Sequence, residues 1–236
     1  MTYLHSIFKP KDMALALAVD RVIRNRRTRK VLGHLHSPAV IPHGFTEKVE
    51  EAVRIAGWAP FHFPANKIHR QNELDSCVPW RFYALDQASC LTLAQCLLDN
   101  GAGNVTEDST IIRMLAAAGS VVLSTWLPEP DHSSKAQHMN EEHLAGAAAA
   151  VQNLLLAGEA RDLQTYWSSG GVLASSECFK LCGIPTEQKL LGAIFMFPPQ
   201  PDSAADIHEG KLRNQRGTPD SWRTWVSLSK PQEQAA

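Results

Sequence analysis

The side chains best suited to chemistry lie in a basic run near the start of the chain, Arg24-Asn25-Arg26-Arg27-Thr28-Arg29-Lys30. Two readings fit it. Cations at the end of a helix face the negative end of its dipole and stay solvated. Alternatively, guanidinium forks match phosphate oxygens in paired hydrogen bonds, and a threonine hydroxyl adds one more. A second feature is the turn Ser168-Ser169-Gly170-Gly171. A Ser/Gly turn after a short strand leaves backbone N–H groups at an edge, where a flat cofactor can be held. Other constellations carry less. His34 and His36 lack a third ligand at metal spacing, so no metal is expected. His138 and His143 are five residues apart and read as the exposed start of a helix. Gly101-Ala102-Gly103 follows a helix and lacks the spacing of a dinucleotide fingerprint. No Ser-His-Asp set or carboxylate pair stands at convincing spacing, so no catalytic side chain is assigned.

The elements that position these residues follow from periodicity. Residues 144–157 are small and apolar nearly all round, which predicts a buried central helix facing other helices or a second subunit. Thr165 to Trp167, aromatic and β-branched, predicts a strand leading into the Ser/Gly turn. Amphipathic helices are predicted from Asp12 and from Thr46, with Thr46 as the cap of the second. A further helix is expected over Ser89 to Leu98 and a short one over Ala174 to Cys182. Strands are expected over Trp80 to Leu85, Gly119 to Trp126, Lys189 to Phe197 and, last, Ser221 to Ser229. Residues 31–45, 99–110, 127–137 and 198–209 read as loops. Helices alternating with single strands indicate an α+β protein, a small sheet covered by helices.

Composition sets outer limits. The chain has 236 residues, room for one well-buried domain over 1–236. A formal net charge of −1 argues against a general nucleic-acid or membrane-surface role, and no aromatic or basic elements accompany the basic run. Five cysteines without CxxC spacing suggest reduced thiols and a cytoplasmic setting. No signal peptide or membrane span is expected.

Several segments, in order, resemble the FMN-dependent nitroreductase family. GAAAAVQNLLLAGEARDLQTYWSSGG is similar to its central helix and turn, and RRTRK to its opening Arg-Arg-Ser-x-Arg signature. The loop from Trp58 to Asn66 resembles Ala-Pro-Ser-x-x-Asn, with Phe61 where serine is usual. Pro79-Trp80 resembles a Pro-Trp strand start, CGIPTEQKLLGAIFMFPP the last core strand, and Lys211-Leu212-Arg213 the closing Lys-x-Arg. The resemblance implies a three-layer α/β/α sandwich with a mainly antiparallel sheet and a domain-exchanged C-terminal strand. It implies a homodimer with two FMN sites at its interface. Arg26, Arg27, Thr28, Lys30, Lys211 and Arg213 would hold the phosphate and ribityl chain, with Arg216 competing for the C-terminal role. Pro60, Phe61, Asn66, Ser168, Ser169 and Gly170 would border the flavin, the N–H groups of Ser169 and Gly170 facing N5.

The implied activity is NAD(P)H-driven reduction of nitroaromatic, quinone or related flat aromatic acceptors. The alternatives are another branch of the superfamily, with reductive dehalogenation or flavin breakdown, and a non-catalytic FMN-binding carrier or sensor. Residues 1–11 read as an N-terminal arm, 67–78 as an inserted loop and 198–236 as a C-terminal extension. The insertion is expected to act as a lid on substrate choice.

Overall fold

The computed structural model describes residues 10–70, 74–199 and 205–228. Most of the N-terminal arm, residues 71–73 of the insertion, and residues 200–204 and 229–236 lie outside them. In chain order the elements are α1 (Pro10–Asn25), β1 (Arg29–Leu32), α2 (Phe45–Ala56), β2 (Trp80–Asp86), α3 (Gln87–Asp99), α4 (Thr110–Ala117), β3 (Ser120–Trp126), α5 (Ser134–Glu159), β4 (Gln164–Ser168), α6 (Ser176–Leu181), β5 (Lys189–Phe197) and β6 (Asp206–Glu209).

The central strands are apolar at successive positions, 121–123 in β3 and 193–197 in β5, because both of their faces are covered. Along β3 and β5, Val121, Leu123, Ala193, Phe195 and Phe197 turn to one side and pack against α3, α4 and α6. Val122, Ile194 and Met196 turn to the other and meet α2 and α5. Alternation of side chains about a pleated strand thus builds three layers, helix on sheet on helix. The sheet runs β2-β3-β5-β4 and every pairing in it is antiparallel. A separate two-stranded ribbon pairs β1 with β6, in the register Arg29↔Glu209 to Leu32↔Asp206. An isolated parallel bridge, Thr28↔Thr165, fastens the ribbon's open end to β4.

Four differences from the sequence expectations have physical causes. Helix α2 is not capped by Thr46: it begins at Phe45, behind Gly44 in the left-handed conformation (φ 77°), and Phe45 is buried. The central helix starts earlier than expected, at Ser134, because Ser133 Oγ accepts from the Ala136 N–H at 3.1 Å. His143 is fully buried rather than exposed, its Nδ1–H donating to the Leu127 carbonyl at 2.8 Å. In the single chain residues 223–228 form no strand, since a ladder needs a partner edge.

The ribbon is held from outside by Arg113 of α4. Its Nε donates to the Gly33 carbonyl at 3.2 Å and its Nη2 to Asp206 Oδ2 at 2.8 Å. This contact is the largest cause holding the Asp206 carboxyl below its ordinary pKa. A depressed pKa adds stability that is complete above the unfolded value, about 3.9, and lost as pH falls through the folded one. Asp206→Asn is therefore expected to speed amide exchange in 29–32 and 206–209 near neutral pH. Its difference from the parent should shrink as pH falls below the ordinary aspartate pKa.

Candidate functional site

The ribbon brings the two basic segments together. Beyond Asn25 the chain leaves α1, and the Arg27 guanidinium folds back to donate to the carbonyls of Arg24 (2.8 Å) and Asn25 (3.0 Å). Arg27 thereby caps the helix's orphan carbonyls. From the other end of the chain, Arg213 donates to the Arg26 carbonyl at 3.0 Å and also to that of Arg24. The Gly210 N–H donates to the Thr28 carbonyl at 2.9 Å, and a Cβ at Gly210 would stand 3.0 Å from Thr28 Cβ. That approach is close enough to favour glycine.

These contacts enclose a cavity of ≈ 590 Å³ whose lining includes Arg26, Arg27, Thr28, Lys211, Arg213 and Arg216. Glu209 is the carboxylate in the lining, and it already pairs with Arg29 at 3.3 Å. Arg26 feels the imbalance most. Burial, then Arg216 and Arg213, push its guanidinium pKa down, and Glu159 opposes them. Its Nη1 lies 3.4 Å from Thr28 Oγ1. A cavity so rich in cations and so poor in counter-charge suits a polyvalent anion with several acceptor oxygens. Five of the predicted phosphate residues meet here, joined by Arg216. Lys30 is not part of the lining: it sits inside β1 opposite His208.

Strand β4 leads from this cavity to the Ser/Gly turn. Thr165 adjoins Thr28, and Ser168 lies three residues on, about 10 Å along the strand. Gly170 must be glycine, with φ 102° and a Cβ position 2.4 Å from Leu190 Cδ2. Its N–H turns inward and donates to Ser168 Oγ at 3.2 Å. The resemblance sets this N–H toward a cofactor, and in the chain alone it is bonded within the turn. The tight turn closes on its own hydroxyl instead.

Pro60, Phe61 and Asn66 lie elsewhere. The Pro60 carbonyl and Phe61 Cβ sit against Gly146 of α5, and the Phe61 ring meets Trp80 edge-on, 5.8 Å between centroids. Gly146 lies at the middle of α5; the helix's C-terminal end carries Gly158, packed against Thr165 beside the basic cavity. Twelve helical residues separate the two, about 18 Å along the axis. Asn66 is committed locally. Its Oδ1 accepts from the Ile68 N–H at 3.2 Å, capping a 3-10 turn, and its Nδ2 donates to Glu129 at 2.9 Å. The inserted loop is likewise tied down, through Arg70 to the Ala65 carbonyl (2.9 Å) and His69 Nε2–H to the Pro128 carbonyl (2.8 Å). Sequence reasoning assigned no role to Arg81, whose side chain is buried under this loop. An arginine second in a strand carries no signal of that beyond the unusual insertion before it.

Comparison with known proteins agrees with this geometry. The nitroreductase family model matches residues 45–196. A nitroreductase-like family protein from Bacillus cereus superposes with a TM-score of 0.59 at 19% identity, covering 89% of this chain and 96% of that one. The nitroreductase CinD from Lactococcus lactis, solved in complex with nicotinic acid, gives 0.58 at 17% identity, covering 89% and 99%. At such identities the likeness concerns the fold. No curated protein matches the chain by sequence. Among the described residues no helix is long and apolar enough to cross a membrane, and no group of three or more His, Cys, Asp or Glu is placed to hold a metal. With the family model spanning well over half of it, this chain belongs to the nitroreductase family and is an oxidoreductase.

Proposed function

We propose that the protein is an FMN-dependent NAD(P)H oxidoreductase, a homodimer that reduces flat aromatic acceptors such as nitroaromatics and quinones by a ping-pong cycle. The observation that carries this is the uncompensated cation cluster at the join of α1, β1 and β6, on a chain of this family. Its donor set fits a phosphate monoester: Arg26 beside the Thr28 hydroxyl, with Lys211, Arg213 and Arg216 from the far end of the chain. Bound flavin supplies the redox chemistry, and the protein supplies placement and electrostatics. Arg26 neutralises the phosphate from a half-buried position, where water screens the contact least. The turn at Ser168 and Ser169 stands where the resemblance sets the ring. Nicotinamide donor and aromatic acceptor would use that ring edge in turn.

Two features support the dimer. The first is apolar surface left open on the single chain. Leu144 is exposed and Leu156 half-buried on α5, while Leu15, Leu17, Val19 and Ile23 on α1 and Trp58 after α2 are exposed. A shallow groove between α1, α2 and α5 runs along this surface. Exposure of this extent favours a partner, and a second copy meeting it about a two-fold axis buries it twice. The second feature is the separation along α5. Pro60, Phe61 and Asn66 border a flavin only if they come from the other subunit, opposite the first subunit's basic cavity. The exposed Trp222, Trp225 and Leu228 supply the segment that would cross to the partner.

Anaerobic addition of NADH or NADPH should bleach the flavin absorption, and a quinone should restore it. A flavin that stays oxidised with both donors would favour a carrier role. Arg26→Ala should weaken FMN binding by about 1.5–3 kcal/mol in a fluorescence titration. Arg27→Ala should cost less, because Arg27 spends its donors on the end of α1. Leu156→Lys, in the open groove, should shift light scattering from twice the chain mass toward the monomer and release FMN with it.

A further inference from the structure

Arg81 is the second residue of β2, opposite Thr125, and its side chain is 4% exposed. Its Nη1 donates to the carbonyls of Val78 (2.8 Å) and Trp80 (2.7 Å). Its Nη2 donates to those of His69 (3.0 Å), Leu74 (2.9 Å) and Ser76 (2.8 Å). Among the described residues no carboxylate bonds to it, and burial lowers its pKa most strongly, Tyr83 and Asp75 opposing. A buried guanidinium is costly to keep unless its donors are bonded. Here its acceptors are backbone carbonyls from both limbs of the insertion.

Packing does little to shape that insertion. Ile68 and Leu74 are exposed, and Val78 is half-buried against the Trp80 cluster. Hydrogen bonds do the work: the Ala65 N–H donates to the Cys77 carbonyl at 2.8 Å, closing the loop's base. His69, Asn66 and Arg70 anchor its first limb, and Arg81 occupies the centre. Val78 packs with Phe61 and Trp80, and Phe61 is among the residues proposed to border the partner subunit's flavin. The described limbs of the expected lid are thus tied down by hydrogen bonds.

We propose that Arg81 is a positioning residue that fixes residues 66–70 and 74–78 as a rigid wall beside Phe61 and Trp80, and that this wall selects among flat aromatic oxidants by size. The proposal rests on the flavin oxidoreductase reading. Lysine keeps the charge but offers three donors from a compact head and cannot span five carbonyls.

In the FMN-loaded dimer, Arg81→Lys should raise amide exchange in 66–70 and 74–78 by roughly tenfold or more, with α5 unaffected. The ratio of kcat/KM for a naphthoquinone to that for a benzoquinone should change by about fivefold through KM, while kcat and FMN affinity stay within about twofold. Unchanged exchange would show that Arg81 does not hold the loop. Looser exchange with an unchanged ratio would show that the loop selects nothing. Either result overturns the proposal. If Arg81→Lys does not fold, replacing 67–77 by a three-residue link together with Arg81→Met removes the cation and its acceptors at His69, Leu74 and Ser76 at once. The same shift in ratio supports the wall, and an unaltered ratio overturns it. Parent protein that takes up no FMN would refute the oxidoreductase reading instead, leaving the exchange comparison to judge Arg81's grip on the loop.

Discussion

Everything at the candidate site depends on one pairing, the four-residue ribbon of β1 and β6. It brings Arg213 onto the carbonyl of Arg26 across 187 positions of chain. Without it, Arg26 and Thr28 would be a solvated helix end, and Lys211 to Arg216 a basic stretch of an exposed tail. With it, like charges are forced together around a cavity, and the Arg26 pKa is driven down by burial and by its neighbours. Under the proposed reading, that repulsion is relieved when a polyanion enters. Arg113 and Gly210 serve the same end from outside the cavity, one holding β6 through Asp206, the other letting the chain approach Thr28.

The long helix α5 sets the second constraint. Its inner side fills the space between sheet and α2, and Gly146 and Gly158 allow the Pro60 loop to approach its middle and Thr165 its C-terminal end. The two places adjoin different groups of candidate residues, and a rigid helix cannot bring them together within one chain. A face of small residues and leucines therefore serves two purposes in this account: it buries apolar surface between subunits and sets one subunit's aromatic loop over the other's basic cavity. The C-terminal aromatic residues, exposed on the single chain, follow the same logic.

How much of this was legible from sequence varies with where each element finds its partners. β5 was readable to the residue because most of it is buried on both faces and the eight apolar or small residues after Lys189 leave no alternative. The basic run and the Ser/Gly turn were readable because residue type alone carries their chemistry. β1 and β6 were not: β6 is exposed at all four positions, and each strand exists through hydrogen bonds to a segment remote in sequence. Helix α4 escaped notice because it is only eight residues long, Thr110 to Ala117, about two turns, and it follows directly on a polar, turn-rich stretch. Arg81 and His143 illustrate the opposite failure. His143 reads as exposed and Arg81 carries no assigned role, yet both lie inside, where His143 Nδ1 and the Arg81 Nη atoms bond carbonyls rather than water. The family resemblance located the site's parts in order, and the fold then separated those that share one cavity from those that do not.

The central claim is that the cations gathered by the ribbon exist to hold a phosphate, and it can be tested by comparing FMN with riboflavin, which lacks only that group. Titrating each flavin into apoprotein at low and at raised salt measures the phosphate's contribution directly. The account predicts that FMN binds more tightly by at least about a hundredfold, as several charge-assisted hydrogen bonds would give, and that the gap narrows as salt rises. Equal affinities for the two flavins at both salt concentrations would contradict it.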